Sequence, residues 1–205
     1  MSEVDEQETQ QSEGEGILEK FQIQSSEMLL WTILYGLLGA AFFIMLSFVP
    51  RPYIMVDLFM FGLAPAMAII TVTGAIRGPI AGFLTGYVGT LVYDLIVSTT
   101  VVSFTLTAVA FGVMGFIVGI TRYDFTSGRS LVKMSILSVI GLVFTVLLTV
   151  VVGLTVEVYA DLVVLGFVML PLLTVGIPSV FLLTPLFARL WYAVMSEVMP
   201  DALSH

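Results

Sequence analysis

The sequence contains no cysteine and no asparagine, and its only histidine is the final residue, His205. The absence of cysteine excludes disulfides, thiolate metal sites and a cysteine nucleophile. Histidine-based zinc sites and Ser-His-Asp catalysis are disfavoured as well, because a terminal histidine is poorly placed to be held in a site. The sequence also lacks a Walker-type phosphate loop, so this chain is not expected to hydrolyse ATP itself. We therefore predict no enzyme activity, no catalytic residues and no metal site.

Charged residues are scarce and unevenly placed. They make up 11% of the 205 residues, whereas soluble domains carry about 25%. Eight of the 15 acidic residues lie in the first 27 positions, so the net charge of -8 largely reflects an N-terminal tail. The seven lysines and arginines form no basic patch, which argues against nucleic-acid binding. We predict an acidic disordered tail over residues 1–26, a membrane domain over 27–196 and a short C-terminal tail over 197–205.

Long apolar runs dominate the rest of the chain, which is 59% hydrophobic with a mean hydropathy of +1.09. A transmembrane helix needs about 20 apolar residues, and these runs lack the alternation typical of strands. The predicted spans cover about 28–49, 54–72, 79–97, 103–120 and 131–154, with a sixth helix within 162–194. Pro171, Pro178 and Pro185 indicate a re-entrant or loop portion before that sixth helix. The predicted fold class is an all-α integral membrane protein, a bundle of six transmembrane helices.

The distribution of basic residues predicts the orientation of the bundle. With six spans, six of the seven basic residues lie on the side that carries both termini. Those six are Lys20, Arg77, Arg122, Arg129, Lys133 and Arg189, whereas only Arg51 lies on the opposite side. By the positive-inside rule, both termini are cytoplasmic and the chain is a multi-pass protein of the cell membrane.

Glycines recur with a four-residue spacing around the start of the predicted third span. On a helix this spacing places small residues along one face, where a neighbouring helix can approach closely in the membrane. Proline follows the second of these glycines, at the first helical position of the third span. The glycines predicted to serve helix packing are Gly74, Gly78, Gly82, Gly86 and Gly89.

A second face of small residues occurs in the first span, at Gly36, Gly39 and Ala40. Such a face permits close contact between membrane helices. It is expected either to pack inside the chain or to dock another membrane subunit.

The predicted outward side of the bundle collects several titratable and aromatic residues. Carboxylates near a membrane are costly and usually mark a site or a paired charge. Asp94 is the strongest candidate, because it follows a long apolar run without a charged neighbour; the alternative is a carboxylate that reaches headgroup water. Asp57 could instead pair with Arg51 or favour its helix N-terminus, and the remaining carboxylates could be solvated. The candidate substrate-binding residues are Arg51, Tyr53, Asp57, Tyr93, Asp94, Glu157, Tyr159 and Asp161.

The glycine-rich segment resembles the entry to the third helix of substrate-binding S components of the energy-coupling factor (ECF) transporters. That family shows a G-x-x-x-G-P-x-x-G pattern, which matches Gly74 to Gly82 here, and acidic residues near the far end of the helix, where Asp94 lies. The six spans, the cytoplasmic termini and the chain length agree with the family. The resemblance covers roughly residues 28–195.

The resemblance implies a subunit that captures a vitamin or related micronutrient from outside for ATP-driven uptake. Its implied partners are a transmembrane coupling subunit and two ATPase subunits that hydrolyse the ATP, while this chain carries no cofactor. The family's A-x-x-x-A docking face matches Gly36 to Ala40 only loosely, and Ser179 follows the last-helix proline where members often carry asparagine. The excess of outward carboxylates favours a cationic ligand.

A different class of function remains open from the sequence. A membrane scaffold or interaction protein, which transports no solute, would explain the small-residue faces equally well. Such a protein would not need outward carboxylates, so ligand-dependent stabilisation separates the two classes. An intramembrane enzyme is disfavoured by the missing cysteine and asparagine and by the single terminal histidine.

Overall fold

The structure is a computed structural model that describes residues 26–49, 53–56, 59–98, 104–155, 166 and 169–198. Six α-helices and one β-hairpin make up nearly all of that part of the chain. The helices are α1 Ser26–Ser47, α2 Pro65–Arg77, α3 Pro79–Ser98, α4 Phe104–Gly119, α5 Gly128–Thr155 and α6 Ile177–Val198. The prediction of six helices is confirmed, and the predicted third and fourth runs agree with α3 and α4 to within a residue. The two predicted tails lie almost wholly outside the described residues.

Four helical segments of the described part are long and apolar enough to cross a membrane: Glu27–Ser47, Pro79–Val97, Gly128–Thr155 and Leu172–Val198. The helices α2 and α4 are apolar but shorter, with 13 and 16 residues. At about 1.5 Å per residue they are about 20 and 24 Å long, whereas a bilayer core is about 30 Å thick. The prediction of six full-length spans therefore holds for four of them.

The second apolar run is not one helix, which corrects the predicted span over 54–72. Strands β1 Tyr53–Val56 and β2 Phe59–Gly62 pair antiparallel ahead of α2, which adds a short hairpin to the predicted helical bundle. The strand segments are rich in aromatic and β-branched residues, which favour extended structure. The helix begins only at Pro65, because proline suits the first helical position and lacks the N–H that an interior position needs.

The chain reverses sharply between α2 and α3. Gly78 has a φ of 91°, a left-handed conformation that glycine adopts without steric cost, and Pro79 then opens α3. The predicted start of the third span at Pro79 is confirmed. The predicted packing glycines are consequently divided between two helices. Gly74 lies in α2, while Gly82, Gly86 and Gly89 lie in α3.

The helix α2 lies at the centre of the bundle, where it packs against α1, α3, α4 and α6. Its Ile70 is fully buried in a cluster with Met114 of α4 and Val180 of α6. The hydroxyls of Thr71 and Thr184 lie 2.7 Å apart and join α2 to α6. By contrast, many large apolar side chains on the outside of the bundle are exposed, which suits a surface that faces lipid.

The last apolar run is more continuous than its prolines predicted. A π-helical turn over Leu172–Gly176 leads directly into α6, so neither a re-entrant nor a loop portion is seen over residues 169–198. The start of the predicted portion, over 162–168, lies outside the described residues except for 166. Pro185 lies inside α6 and has no N–H to offer the carbonyl of Phe181. The hydroxyl of Ser135 on α5 donates to that carbonyl over 3.0 Å. A neighbouring helix thus satisfies the group that the proline leaves open, which lets the helix continue in a membrane.

The two ends of the bundle differ in character. At the end that we call the hairpin end, α1 and α3 finish and the β-hairpin leads into α2. At the opposite end, the junction end, lie the turn at Gly78 and the loop between α4 and α5. The basic residues of that turn, that loop and the first turns of α5 are Arg77, Arg122, Arg129 and Lys133.

The loop at the junction end is held by local hydrogen bonds. The Asp124 carboxylate accepts from the backbone N–H of Thr126 at 2.9 Å and from its hydroxyl at 2.6 Å, and these bonds lower the pKa of Asp124. Tyr123 donates to the carbonyl of Val118 at 2.9 Å, and burial raises the pKa of Tyr123 to about 12. Tyr123 therefore fixes this loop against the end of α4, whereas Asp124 fixes the turn within the loop.

Candidate substrate-binding site

A cavity of about 190 Å³ lies within the bundle at the hairpin end. It is bounded by the end of α1, the start of α2, the far half of α3, and parts of α4 and the π-helical turn. Its lining residues are Phe43, Ser47, Ala64, Ala66, Met67, Thr90, Tyr93, Asp94, Phe111 and Leu172. Most of these side chains are apolar or aromatic, and a few polar groups are placed among them. This combination is typical of sites for small organic ligands.

The polar side of the cavity comes from one face of α3. Tyr93 and Asp94 lie three and four residues after Thr90, and these spacings bring side chains together on a helix. Thr90 is buried with 5% of its surface exposed, while Tyr93 and Asp94 are partly buried. The ring of Tyr93 also contacts the ring of Phe48, the residue directly after α1, with 5.4 Å between their centroids. This contact fixes α3 against the end of α1 beside the cavity.

Two serines stabilise the cavity wall through backbone hydrogen bonds. Ser47 donates to the carbonyl of Phe43 over 2.8 Å, within α1. Ser179 on α6 accepts from the backbone N–H of Ala64 over 2.6 Å, which ties α6 to the residue before α2. Ser179 stands where the resemblance predicts asparagine, and here it holds the wall of the cavity without lining it.

Asp94 is the one ionisable carboxylate among the lining residues of this cavity. An ionised carboxylate accepts hydrogen bonds only, whereas a hydroxyl both donates and accepts. Three aromatic rings, those of Phe43, Tyr93 and Phe111, can contact a flat ligand. The described lining therefore combines three aromatic rings with one carboxylate and the hydroxyls of Ser47, Thr90 and Tyr93.

A protein-family model described as ECF-type riboflavin transporter, S component, matches residues 30–189 of this chain. The chain belongs to this family. No curated protein and no solved structure matches it. The match extends over all six helices and includes every residue that lines the cavity. The expected identity as an ECF S component is thereby confirmed, and with it a multi-pass protein of the plasma membrane.

The structure describes the side chains of only two of the eight predicted substrate-binding residues of this S component. Those two, Tyr93 and Asp94, both line the cavity. Tyr53 begins β1, and nothing further is described of its side chain. The other predicted residues lie outside the described part of the chain: Arg51, Asp57, Glu157, Tyr159 and Asp161.

Most residues that line the cavity were not predicted from the sequence. Thr90 could have been found, because it lies one turn before Asp94 on the same face of the predicted third helix. Met67 and Phe111 could not, since an apolar residue that lines a site has the same pattern as one in the core. Their roles depend on which helices are neighbours, and the sequence does not reveal that.

The predicted packing glycines of the S component lie at close helix contacts. A Cβ on Gly74 would lie 3.3 Å from the carbonyl carbon of Gly115, and one on Gly86 would lie 2.6 Å from that of Phe111. A Cβ on Gly89 would lie 2.9 Å from the ring of Phe43. Glycine is needed at these positions because the groups it meets are mostly backbone atoms of α4, which cannot move aside.

The small-residue face of α1 is occupied by packing inside the chain. A Cβ on Gly36 would lie 2.8 Å from the Cβ of Leu84 on α3, and one on Gly39 would lie 2.7 Å from the hydroxyl of Thr73 on α2. Ala40 is likewise buried, with 2% of its surface exposed. Of the two roles expected for this face, internal packing is the one seen. A docking role for these three residues stays a prediction.

An apolar groove of 380 Å³ runs between α1 and α6, with α2 as its floor. Its walls include Tyr35 and Phe42 from α1 and Trp191 from α6, and Gly39 also lines it. The guanidinium of Arg77 lies 5.7 Å from the centre of the Tyr35 ring, a cation–π contact near the junction end. This groove has no carboxylate among its lining residues, whereas Asp94 lines the cavity at the hairpin end.

Proposed function

We propose that this S component captures riboflavin from outside the cell for uptake by an ECF transporter. The observation that carries this proposal is the cavity at the hairpin end, in a chain that the riboflavin S-component model matches. Riboflavin joins a flat tricyclic ring to a polyhydroxylated chain. Such a molecule needs aromatic contact for its ring and hydrogen-bonding groups for its polar edges, and the lining offers both.

Riboflavin is uncharged near neutral pH, so the proposal replaces the expected cationic ligand. Asp94 would act as a hydrogen-bond acceptor for an N–H or O–H group of the vitamin, where a charged hydrogen bond is stronger than a neutral one. The rings of Phe43, Tyr93 and Phe111 would supply the apolar contact. None of these roles requires a positive charge on the ligand.

The cavity is smaller than the pockets that usually hold a molecule of this size. Its 190 Å³ compares with about 300–1,000 Å³ for typical ligand pockets. Riboflavin would therefore have to widen it, by separating α1 or the π-helical turn from α3. Riboflavin can stabilise the widened form only by as much as it binds that form more tightly than the narrow form.

The hairpin end would face outward and the junction end the cytoplasm. Arg77, Arg122, Arg129 and Lys133 gather at the junction end, and the positive-inside rule places such residues in the cytoplasm. Release of the vitamin would need a transmembrane coupling subunit and two ATPase subunits, since this chain has no phosphate loop. The apolar groove between α1 and α6 is the surface that we propose for the coupling subunit.

A thermal-shift screen of the purified protein against water-soluble vitamins tests the proposed substrate. A ligand at 100 times its dissociation constant stabilises the folded state by about 2.7 kcal/mol, so riboflavin should raise the melting temperature while thiamine and biotin do not. A different vitamin as the single hit would overturn riboflavin but keep solute capture. A flat screen with folded protein would favour the scaffold class instead.

A further inference from the structure

Almost every buried hydroxyl in the described part of the bundle has a hydrogen-bond partner. Most donate to the carbonyl one turn earlier in their own helix, as Thr32 does to Met28 over 2.8 Å. Others bridge helices, as Thr85 does to the carbonyl of Gly36 over 3.0 Å. This is the expected behaviour, because a hydroxyl without a partner in an apolar interior is costly.

Two hydroxyls in the described part, those of Thr90 and Thr149, are buried without a hydrogen-bond partner. Only Thr90 is among the residues that line the cavity. It has 5% of its surface exposed, and it lies one turn deeper in the bundle than Asp94 on the same face of α3. A buried polar group without a partner is costly, and a ligand that supplies the missing hydrogen bond explains why it is present at such a place.

We propose that the Thr90 hydroxyl is a hydrogen-bonding subsite for the captured vitamin, together with the Asp94 carboxylate. This inference rests on the proposed function and adds to it the group that recognises the substrate. Because a hydroxyl donates and accepts, Thr90 bonds a carbonyl, imide or hydroxyl group of the ligand. Asp94 accepts from a second polar group nearer the mouth of the cavity. Thr90 discriminates against apolar analogues, which would leave its buried hydroxyl without a hydrogen bond.

The arrangement also predicts how Thr90 acts in the absence of ligand. Its hydroxyl contributes no hydrogen bond to the empty protein, so its removal costs no folding stability. Thr145 gives the opposite case, since its hydroxyl donates to the carbonyls of Ala110 and Gly141 at 2.8 and 3.0 Å. A purely structural role for Thr90 would make it behave like Thr145.

The test compares Thr90→Val, Thr90→Ser, Thr145→Val and Thr149→Val in riboflavin titrations and in melting without ligand. Thr90→Val keeps the shape and removes the hydroxyl, and we expect it to weaken riboflavin binding about tenfold, the loss of one hydrogen bond. Thr90→Ser retains the hydroxyl and should bind within a few-fold of the natural protein. Thr149→Val, the matched control with an unpaired hydroxyl outside the cavity, should bind normally.

The melting temperatures without ligand decide between recognition and structure. We expect Thr90→Val to melt at or above the temperature of the natural protein, and Thr145→Val to melt below it. Unchanged riboflavin affinity in Thr90→Val would overturn the inference while leaving the proposed function intact. Weaker binding accompanied by a lower melting temperature would overturn it too, because a structural role explains that result. Failure of the natural protein to bind riboflavin would instead refute the proposed function and this subsite with it.

Discussion

Gly82 on α3 and Gly115 on α4 face each other so closely that neither has room for a Cβ. A Cβ on Gly82 would lie 2.6 Å from the carbonyl carbon of Gly115, and one on Gly115 would lie 2.8 Å from the Cα of Gly82. Gly74 of α2 lies at the same contact, because a Cβ on Gly82 would also lie 2.7 Å from the Cα of Gly74. Three helices therefore meet at glycines, and this contact fixes the position of α3, which carries the polar side of the cavity.

Gly82→Ala should consequently destabilise the bundle. The added methyl meets backbone of α4, and forcing helices apart in a packed interior costs about 1–3 kcal/mol or more. We expect a lower melting temperature and a lower yield of folded protein. Gly128→Ala is the matched control, since nothing lies within 4 Å of its added Cβ. Equal melting of the Gly82 and Gly128 variants would contradict the close helix contact.

Asp94→Asn should weaken riboflavin binding and leave the fold intact. The substitution keeps the shape of the side chain and removes its charge, and a hydrogen bond to a charged group is worth about 1.5–3 kcal/mol, or about 10–100-fold in affinity. Glu197→Gln, at an exposed position near the end of α6, serves as the control. Titration of both variants measures the difference. Full riboflavin affinity in Asp94→Asn would show that the Asp94 charge does not contribute to binding and lies only at the membrane surface.

Ser135→Ala should destabilise the protein by about 1 kcal/mol, because it leaves the carbonyl of Phe181 without a donor. Pro185→Ala restores a backbone N–H that can bond the same carbonyl. The cost of Ser135→Ala should therefore be smaller in the Pro185→Ala background, and a double-mutant cycle on melting free energies measures this coupling. Strict additivity of the two substitutions would show that Ser135 does not compensate for the proline.

The proposed orientation can be tested by labelling single cysteines, since the natural chain has none. Thr155→Cys, at the exposed end of α5 on the hairpin side, should react with a membrane-impermeant maleimide on intact cells. Ser127→Cys, in the loop at the junction end, should react only after the membrane is opened. Reversed labelling of the two variants would invert the orientation.

The sequence predicted helices well where apolar runs were uninterrupted. The runs that became α3 and α4 were placed to within a residue, because Pro79 and the flanking polar residues mark their ends. The run over 54–72 was misjudged, since hydropathy does not distinguish a membrane helix from an apolar hairpin followed by a short helix. The prolines near α6 were wrongly expected to interrupt the helix. The hydroxyl of Ser135, which bonds the carbonyl that Pro185 leaves open, comes from another helix and so could not be predicted.

The candidate site was predicted in part. Asp94 was predicted from its charge, since a carboxylate at the end of an apolar run is unusual. Thr90 was not singled out, because threonine in a membrane helix usually bonds its own backbone. Its unpaired state emerges only when all neighbouring helices are in place. The partner of each glycine likewise depends on tertiary contacts, as Gly115 does for Gly82.

The most direct test of this account is a titration of the purified protein, reconstituted in lipid nanodiscs, with riboflavin, followed by flavin fluorescence. We expect saturable binding of one riboflavin per chain, with quenching as the ring contacts aromatic side chains in the cavity. Thiamine should not compete with it. Folded protein that shows no saturable riboflavin signal would contradict the account.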